Sequence, residues 1–509
     1  MPAAWRSKLL ILTAFAALAA LLPAADIAPA SVANTHAAVR AYQQQHADER
    51  TPVIVQAMAG ADPEALVAAA GGDVAAPLAI INAVAADVTA GALDTLSADA
   101  RVKWISLDGP VASADGGRDR LDGTDEGDDR EHAEASAPAS VYTDEIDADE
   151  AWEDGILGQG ISVAVVDTGI TNSGDFGSPR RVVATVSKNR SRRDGYGHGS
   201  HVAGIIAGDG SNSDGAYTGV APGANLVNVK IGDDTGAATL SDVINGLQFV
   251  FENKDKFNIR VVNLSLRSDV PQSYTTDPLD AAVELLTFRG ILVVASAGNI
   301  GTAGDAVSYA PANDPFVLTV GAVDDRGTAD YGDDTITSWS SRGTTQDGYA
   351  KPELYAPGRH IVSVLSPGSV LAREMPEGVV GEHYFQLSGT SMSAAVVSGA
   401  AALVIQEHPD WTPGQVKAAL IDGADALPSD SSAAFVQVDG ALGVSSPADT
   451  TADLRPSDLL LEAAGITDPD AIRWGAIRWG AIRWGAIRWG AIRWGAIRWG
   501  AVRWGYVSE

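Results

Sequence analysis

The chain has 509 residues, 46% of them hydrophobic and 20% charged, with a formal net charge of −30. That length exceeds one compact core and suggests two to four domains, and so acidic a surface excludes a nucleic-acid partner for the main domain, because phosphate binding needs a basic face. Absence of cysteine excludes disulfides and thiolate chemistry, so any metal ligand must be oxygen or imidazole.

Arg6 and Lys8 precede an apolar run from Leu9 to Leu22, followed by the small residues Ala24, Ala25 and Ala30. This order reads as a secretory signal peptide over residues 1–30, and the run falls short of the roughly 20 residues that span a membrane. Residues 48–112 follow as a small α+β unit. Pro52–Met58 is apolar and extended, Asp62–Pro63 is an N-cap with proline at the first helical position, and Leu78–Val84 is a second apolar run. Ala90–Ser97 is a second helix and Val102–Leu107 a last strand. Residues 113–136 are crowded with Asp, Glu and Gly and bury too little to order themselves, so they read as an exposed linker.

The main domain covers residues 137–444. Apolar β-branched runs (Ile161–Val166, Ile259–Leu266, Ile291–Ala295, Phe316–Val320) alternate with helical stretches (Leu240–Phe251, Pro278–Phe288, Met392–Gln406, Pro413–Ile421). This pattern predicts a mainly parallel sheet with helices on both faces. Thr239 with Asp242, and Thr412–Pro413 with Gln415, are capping-box starts. A connector over 445–470 leads to six copies of AIRWG and one AVRWG over 471–505.

Three motifs carry chemistry. Ile161–Val166 runs into Asp167-Thr168-Gly169, an aspartate at the carboxyl edge of a parallel strand, where α/β folds place their sites. Gly197-His198-Gly199-Ser200-His201 opens a small-residue helix. Its two histidines have the spacing of metal ligands but no third ligand nearby, and the glycines suit a base that is approached closely. Ser388-Gly389-Thr390-Ser391-Met392 stands at the start of another small-residue helix, where backbone N–H groups and the helix dipole face a developing oxyanion.

In this order the motifs resemble the three signatures of the subtilase family, the subtilisin-like serine peptidases, and lean toward the bacterial alkaline-subtilisin-like branch. Ala297-Gly298-Asn299, Ser340-Ser341-Arg342-Gly343 and Ala356-Pro357-Gly358 agree. The resemblance implies a three-layer α/β/α catalytic domain with a mainly parallel sheet, preceded by a small α+β, ferredoxin-like propeptide that inhibits in the same chain. It implies Asp167, His198 and Ser391 as the triad, Asn299 with the Ser391 N–H as the oxyanion hole, and Ser265, Leu266, Arg267, Ser296, Ala297 and Gly298 as the substrate-binding walls. Ser308–Tyr309 lie near that pocket.

Two positions depart from the pattern: Ala395 where proline usually follows the serine signature, and Arg267 where glycine is usual. Arg267 is expected to point to solvent. No buried carboxylate in the walls selects Lys or Arg, so a broad apolar or aromatic preference is expected. The expectation is a secreted serine endopeptidase that processes itself and acts on proteins or peptides. A dedicated processing protease and a non-catalytic binding protein are the alternatives. No cofactor is expected for the chemistry. Structural calcium is a candidate, with Asp209, Asp214, Asp233 and Asp234 as oxygen donors. Seven Arg and seven Trp make the tail a cationic aromatic strip, either a contact to cell wall or membrane surface or a repeat without a role.

Overall fold

The computed structural model describes residues 34–113, 140–177, 180–189 and 191–463. The expected signal peptide (1–30), nearly all of the acidic stretch (113–136) and the repeat tail (471–505) lie outside them.

A helix, α1 (Ala37–Gln45), precedes a βαββαβ unit: β1 (Thr51–Ala57), α2 (Pro63–Ala69), β2 (Asp73–Leu78), β3 (Ala83–Val88), α3 (Ala90–Ala98) and β4 (Val102–Leu107). The sheet order is β2-β3-β1-β4, and all its pairings are antiparallel. Asp62 caps α2, its Oδ1 accepting from the Glu64 and Ala65 N–H groups at 3.0 and 3.2 Å. The run Leu78–Val84 is not one strand. It breaks at Asn82, whose left-handed backbone (φ 52°) turns β2 into β3, a conformation asparagine tolerates. Alternate residues of β1 face opposite ways. Val53 and Val55 join Leu66, Leu93 and Ile105 in the small domain's own core. Ile54, with Leu78, Ile81 and Ala85, joins a different cluster.

The large domain is built on β6 (Ser162–Asp167), β7 (Val182–Ser187), α4 (His198–Ala207), β8 (Asn225–Lys230), β9 (Ala238–Thr239) and α5 (Leu240–Phe257). There follow β10 (Ile259–Leu264), β11 (Leu266–Ser268), α6 (Pro278–Phe288), β12 (Leu292–Ser296), β13 (Leu318–Asp324) and β14 (Leu354–Pro357). It closes with α7 (Thr390–Glu407), α8 (Pro413–Asp422), β15 (Asp425–Leu427) and β16 (Asp430–Phe435). The main sheet runs β15-β16-β14-β13-β12-β10-β6-β8-β7 and is parallel apart from β15 and a short strand at Thr335–Ile336.

Residues of one strand serve both faces. Val163 and Val165 pack with α4 and α7, while Ala164 and Val166 pack with α5 and α6. The second of these layers also receives Ile54, Leu78 and Ile81, so the two domains share it. Both predicted capping boxes form, at Thr239–Asp242 and Thr412–Gln415. Residues 445–463, expected as plain connector, end in a short helix, α9 (Asp458–Ala463), whose Leu459, Leu460 and Leu461 are buried.

Candidate active site

Strand order reverses between β6 and β10, so their carboxyl ends splay apart and leave a crevice. Asp167 ends β6 at that crevice. His198 Nδ1 lies 2.8 Å from Asp167 Oδ1 and 2.9 Å from Oδ2, with the imidazole fully buried. A nitrogen facing a carboxylate must carry the proton, which leaves Nε2 as the basic nitrogen. The Thr168 N–H also donates to Asp167 Oδ1 (2.7 Å), a second hold on the carboxylate.

His198 is placed by a residue that the motif reading did not single out. Asp194 is fully buried and accepts from the Thr168 hydroxyl (2.9 Å), the Gly197 N–H (2.7 Å), and the Ser200 N–H and hydroxyl (2.9 and 2.7 Å). It thus ties the start of α4 to the Asp167 loop. Burial raises its pKa, and the bonds from Ser200 and Gly197 oppose that rise. The signal was an acid four residues before the histidine and six before a serine. Gly199 is required because a Cβ there would stand 2.3 Å from Gly169 O. His201 is not a metal ligand: its Nε2 donates to Ile361 O (3.1 Å) and Phe385 O (2.9 Å), and burial lowers its pKa to about 3.

Ser391 is the second residue of α7, where backbone N–H groups lack helical partners. Its hydroxyl donates to Ser265 O at 3.4 Å. The Ser265 hydroxyl in turn donates to Ser391 O (2.9 Å) and accepts from Asn263 Nδ2 (2.9 Å), and Ser398 donates to Asn263 Oδ1 (2.9 Å). These bonds lace β10 to α7. Asn299 Oδ1 accepts from the Thr390 N–H (3.0 Å) and hydroxyl (2.9 Å). That assigns the amide and leaves Nδ2 buried with no acceptor. Such an orphan is costly and marks a position kept for something else. Ser341 braces the same loop, donating to Gly298 O (3.0 Å) and accepting from the Ile300 N–H (3.1 Å).

The last strand of the small domain, β5 (Pro110–Ser113), lies in the crevice between β11 and β9. It is antiparallel to β11, with Val111 opposite Ser268, Ala112 opposite Arg267 and Ser113 opposite Leu266. Val111 shares its pocket with Asp167, Thr168, Ile231, Ala238 and Leu266. Ser296, Ala297 and Gly298 follow from β12 and are buried, and the Ser296 hydroxyl has no hydrogen-bond partner.

Arg267 does not point to solvent, contrary to the expectation. Its guanidinium lies over the Tyr309 ring at 4.6 Å, Nη1 donates to Ser268 O (3.2 Å), and Cδ passes 3.7 Å from the place a Gly298 Cβ would occupy. Stacking on an aromatic face explains the turn inward. Ala395 is fully buried inside α7. Three of the four aspartates considered for calcium have other partners. Asp209 pairs with Arg181 (3.5 Å), Asp234 pairs with Lys230 (3.3 Å), and Asp233 Oδ1 is taken by Thr235 and the Ala237 N–H. Among the described residues no group of three carboxylates or imidazoles is arranged to hold a metal.

A mainly parallel α/β sheet with a buried aspartate–histidine pair at a strand end, and a serine at the start of a buried helix, has the parts of a serine hydrolase. The Subtilase family (peptidase S8) profile matches residues 158–444. Serine protease AprX of Bacillus subtilis is 39% identical over 302 residues, covering 57% of this chain and 68% of that protein. Subtilisin E of the same species is 31% identical over 366 residues, covering 71% and 81%. Among solved structures, fervidolysin from Fervidobacterium pennivorans, described as a keratinolytic enzyme related to subtilisin, superposes with a TM-score of 0.59 at 24% identity, a likeness of fold. That match covers 78% of this chain and 61% of fervidolysin. The chain belongs to the subtilase family and is a subtilisin-like serine endopeptidase.

Proposed function

We propose that Ser391 is the nucleophile, His198 its general base and Asp167 the group that orients the imidazole and stabilises its charged form. The Ser391 hydroxyl turns from Ser265 O to His198 Nε2 and gives up its proton as it attacks the peptide carbonyl. The acyl-enzyme forms as the tetrahedral intermediate collapses, the C–N bond breaking while His198 gives that proton to the leaving amine. Water, deprotonated by His198, then cleaves the ester, releasing the acid and restoring the Ser391 hydroxyl. The Asn299 Nδ2 and the Ser391 N–H hold the oxyanion. The observation that carries this reading is β5: an extended piece of the chain itself lies as a strand beside Asp167 and Ser265, as a peptide substrate would.

The same strand supports self-processing. The small domain, residues 48–112, is an inhibitory propeptide whose last strand fills the crevice until a bond shortly after it is cut. Ser391→Ala should leave a full-length precursor with no casein activity, read by mass spectrometry and a clearing assay. Normal processing of that variant would assign the cut to another protease.

The walls formed by Ser265–Arg267 and Ser296–Gly298 suit apolar or aromatic side chains, and their one charge, Arg267, disfavours Lys and Arg. Residues 1–30 are a signal peptide that directs export. Among the described residues no helix is long and apolar enough to cross a membrane. The Arg/Trp tail retains the exported enzyme at cell wall or membrane surface. A chain ending before Ala471 that partitions like the full one would remove that role. No cofactor takes part in the reaction.

A further inference from the structure

We propose that residues 454–463, after the large domain, form part of the surface that holds the propeptide, so that release of the inhibitor is governed at the C-terminal side of the fold as well as in the crevice. This rests on the reading of residues 48–112 as an inhibitory propeptide.

The segment is anchored on the enzyme. Ser457 donates its N–H to both oxygens of the fully buried Glu284 on α6 (2.8 and 3.0 Å), and its hydroxyl to Oε2 (2.7 Å). The Asp458 N–H donates to Thr275 O (2.8 Å), and the Tyr274 hydroxyl to Arg455 O (3.1 Å). Burial raises the Glu284 pKa well above the ordinary carboxylate value. Loosening the segment would leave its buried oxygens without the three Ser457 hydrogen bonds, so the anchor is costly to undo. The segment therefore stays with the enzyme when the two domains part.

Its other side belongs to the propeptide. Gln56 on β1, 1% exposed, donates through Nε2 to Leu459 O (2.9 Å) as well as to Ile81 O (2.7 Å). Glu462 Oε1 accepts from the Ala59 N–H (2.8 Å), and Oε2 lies 3.6 Å from Lys103 Nζ. Leu459 and Leu460 fill the apolar layer shared by Ile54 and Ile81 of the propeptide and Leu279 and Ala282 of α6. Separation exposes those leucines and strips Gln56 of a partner. Substrate competes for the crevice but not for this seam, so a propeptide already cut after β5 is still held here.

The test uses the full-length precursor. Self-cleavage is followed by mass spectrometry and the onset of activity by a fluorogenic peptide, which gives the interval between the two. Glu462→Ala and Gln56→Ala, both away from the reacting groups, should each shorten that interval about tenfold, the factor worth one hydrogen bond. Cleavage rate should not change. Glu462→Gln keeps an acceptor for the Ala59 N–H and should retain most of the interval. It also keeps the test readable if Gln56→Ala folds poorly. Unchanged intervals in Glu462→Ala would overturn the proposal while leaving the inhibitory propeptide intact. A wild-type precursor fully active before any cleavage would overturn both.

Discussion

The two domains bury their sheets differently. The large domain covers both faces of its parallel sheet with its own helices, α4 and α7 on one side and α5 and α6 on the other. The small domain closes one face with α1, α2 and α3, but Ile54, Leu78 and Ile81 on the other share a core with the large domain and α9. One covers both faces of its sheet by itself. The other is completed by its partner, which suits a domain meant to be discarded. The largest expected effect tests the scaffold. Lys351 is buried and donates to Asp314 O (2.7 Å), Val317 O (3.0 Å), the Thr319 hydroxyl (3.0 Å) and Glu353 (2.8 Å); Lys417 shares Val317 O and Glu353. Lys351→Met should destabilise the matured enzyme by about 3–5 kcal/mol in denaturant unfolding, the range for a broken buried pair. An unchanged midpoint would mean that the lysine pair does not hold the scaffold together.

Chemistry should separate from docking. For Asn299→Leu, subtilisin itself is the reference case for removing such a donor, with about 10²–10³-fold lost from kcat. That loss is expected here with little change in KM and none in propeptide retention. Weaker retention in this variant would blur the two roles.

Docking should depend on pH through Asp108 at the end of β4. Its carboxylate accepts from the Ser241 N–H (2.9 Å) and hydroxyl (2.7 Å) at the start of α5. Burial lifts its pKa to about 6, against the lowering bonds from Ser241 and with Asp242 and Asp87 adding repulsion. In the released propeptide it titrates near the ordinary value of about 4. The docked state thus binds more protons, and docking weakens as pH rises from about 4 to 6 before levelling off. Co-elution of the cut propeptide with the enzyme should be roughly ten- to a hundredfold weaker at pH 7 than at pH 4. Asp108→Asn should flatten that profile. The smallest effect is expected from Arg267→Gly, a few-fold gain on substrates with Lys or Arg at the cleaved residue. No gain would place the guanidinium outside the selecting wall.

What could be read in advance was local. Caps at Thr239 and Thr412, proline at the start of α6 and a small-residue helix beginning at His198 are short-range choices, and these elements fall where their patterns begin; the helix expected from Met392 starts two residues earlier, at Thr390. The Asp167–His198 contact followed from motifs whose context, strand end and helix start, was itself local. The harder features depend on distant partners. β8 carries Asn225, Asn228 and Lys230, which mask a buried strand, and Lys230 is inside because Thr168 O accepts from it at 2.7 Å. Arg267 turned inward because Tyr309, 42 positions on, offered a face. Residues 454–463 looked like connector because three leucines in a row show no period until Ile54 and Leu279 flank them.

β5 also bears on what the enzyme can eat. It is held in the crevice chiefly by main-chain pairing between two strand edges, a form of recognition that asks for a stretch of straight, unpaired backbone more than for particular letters. A tightly folded protein offers no such stretch. Its susceptibility should follow how often it breathes, and denatured or frayed chains should be its diet.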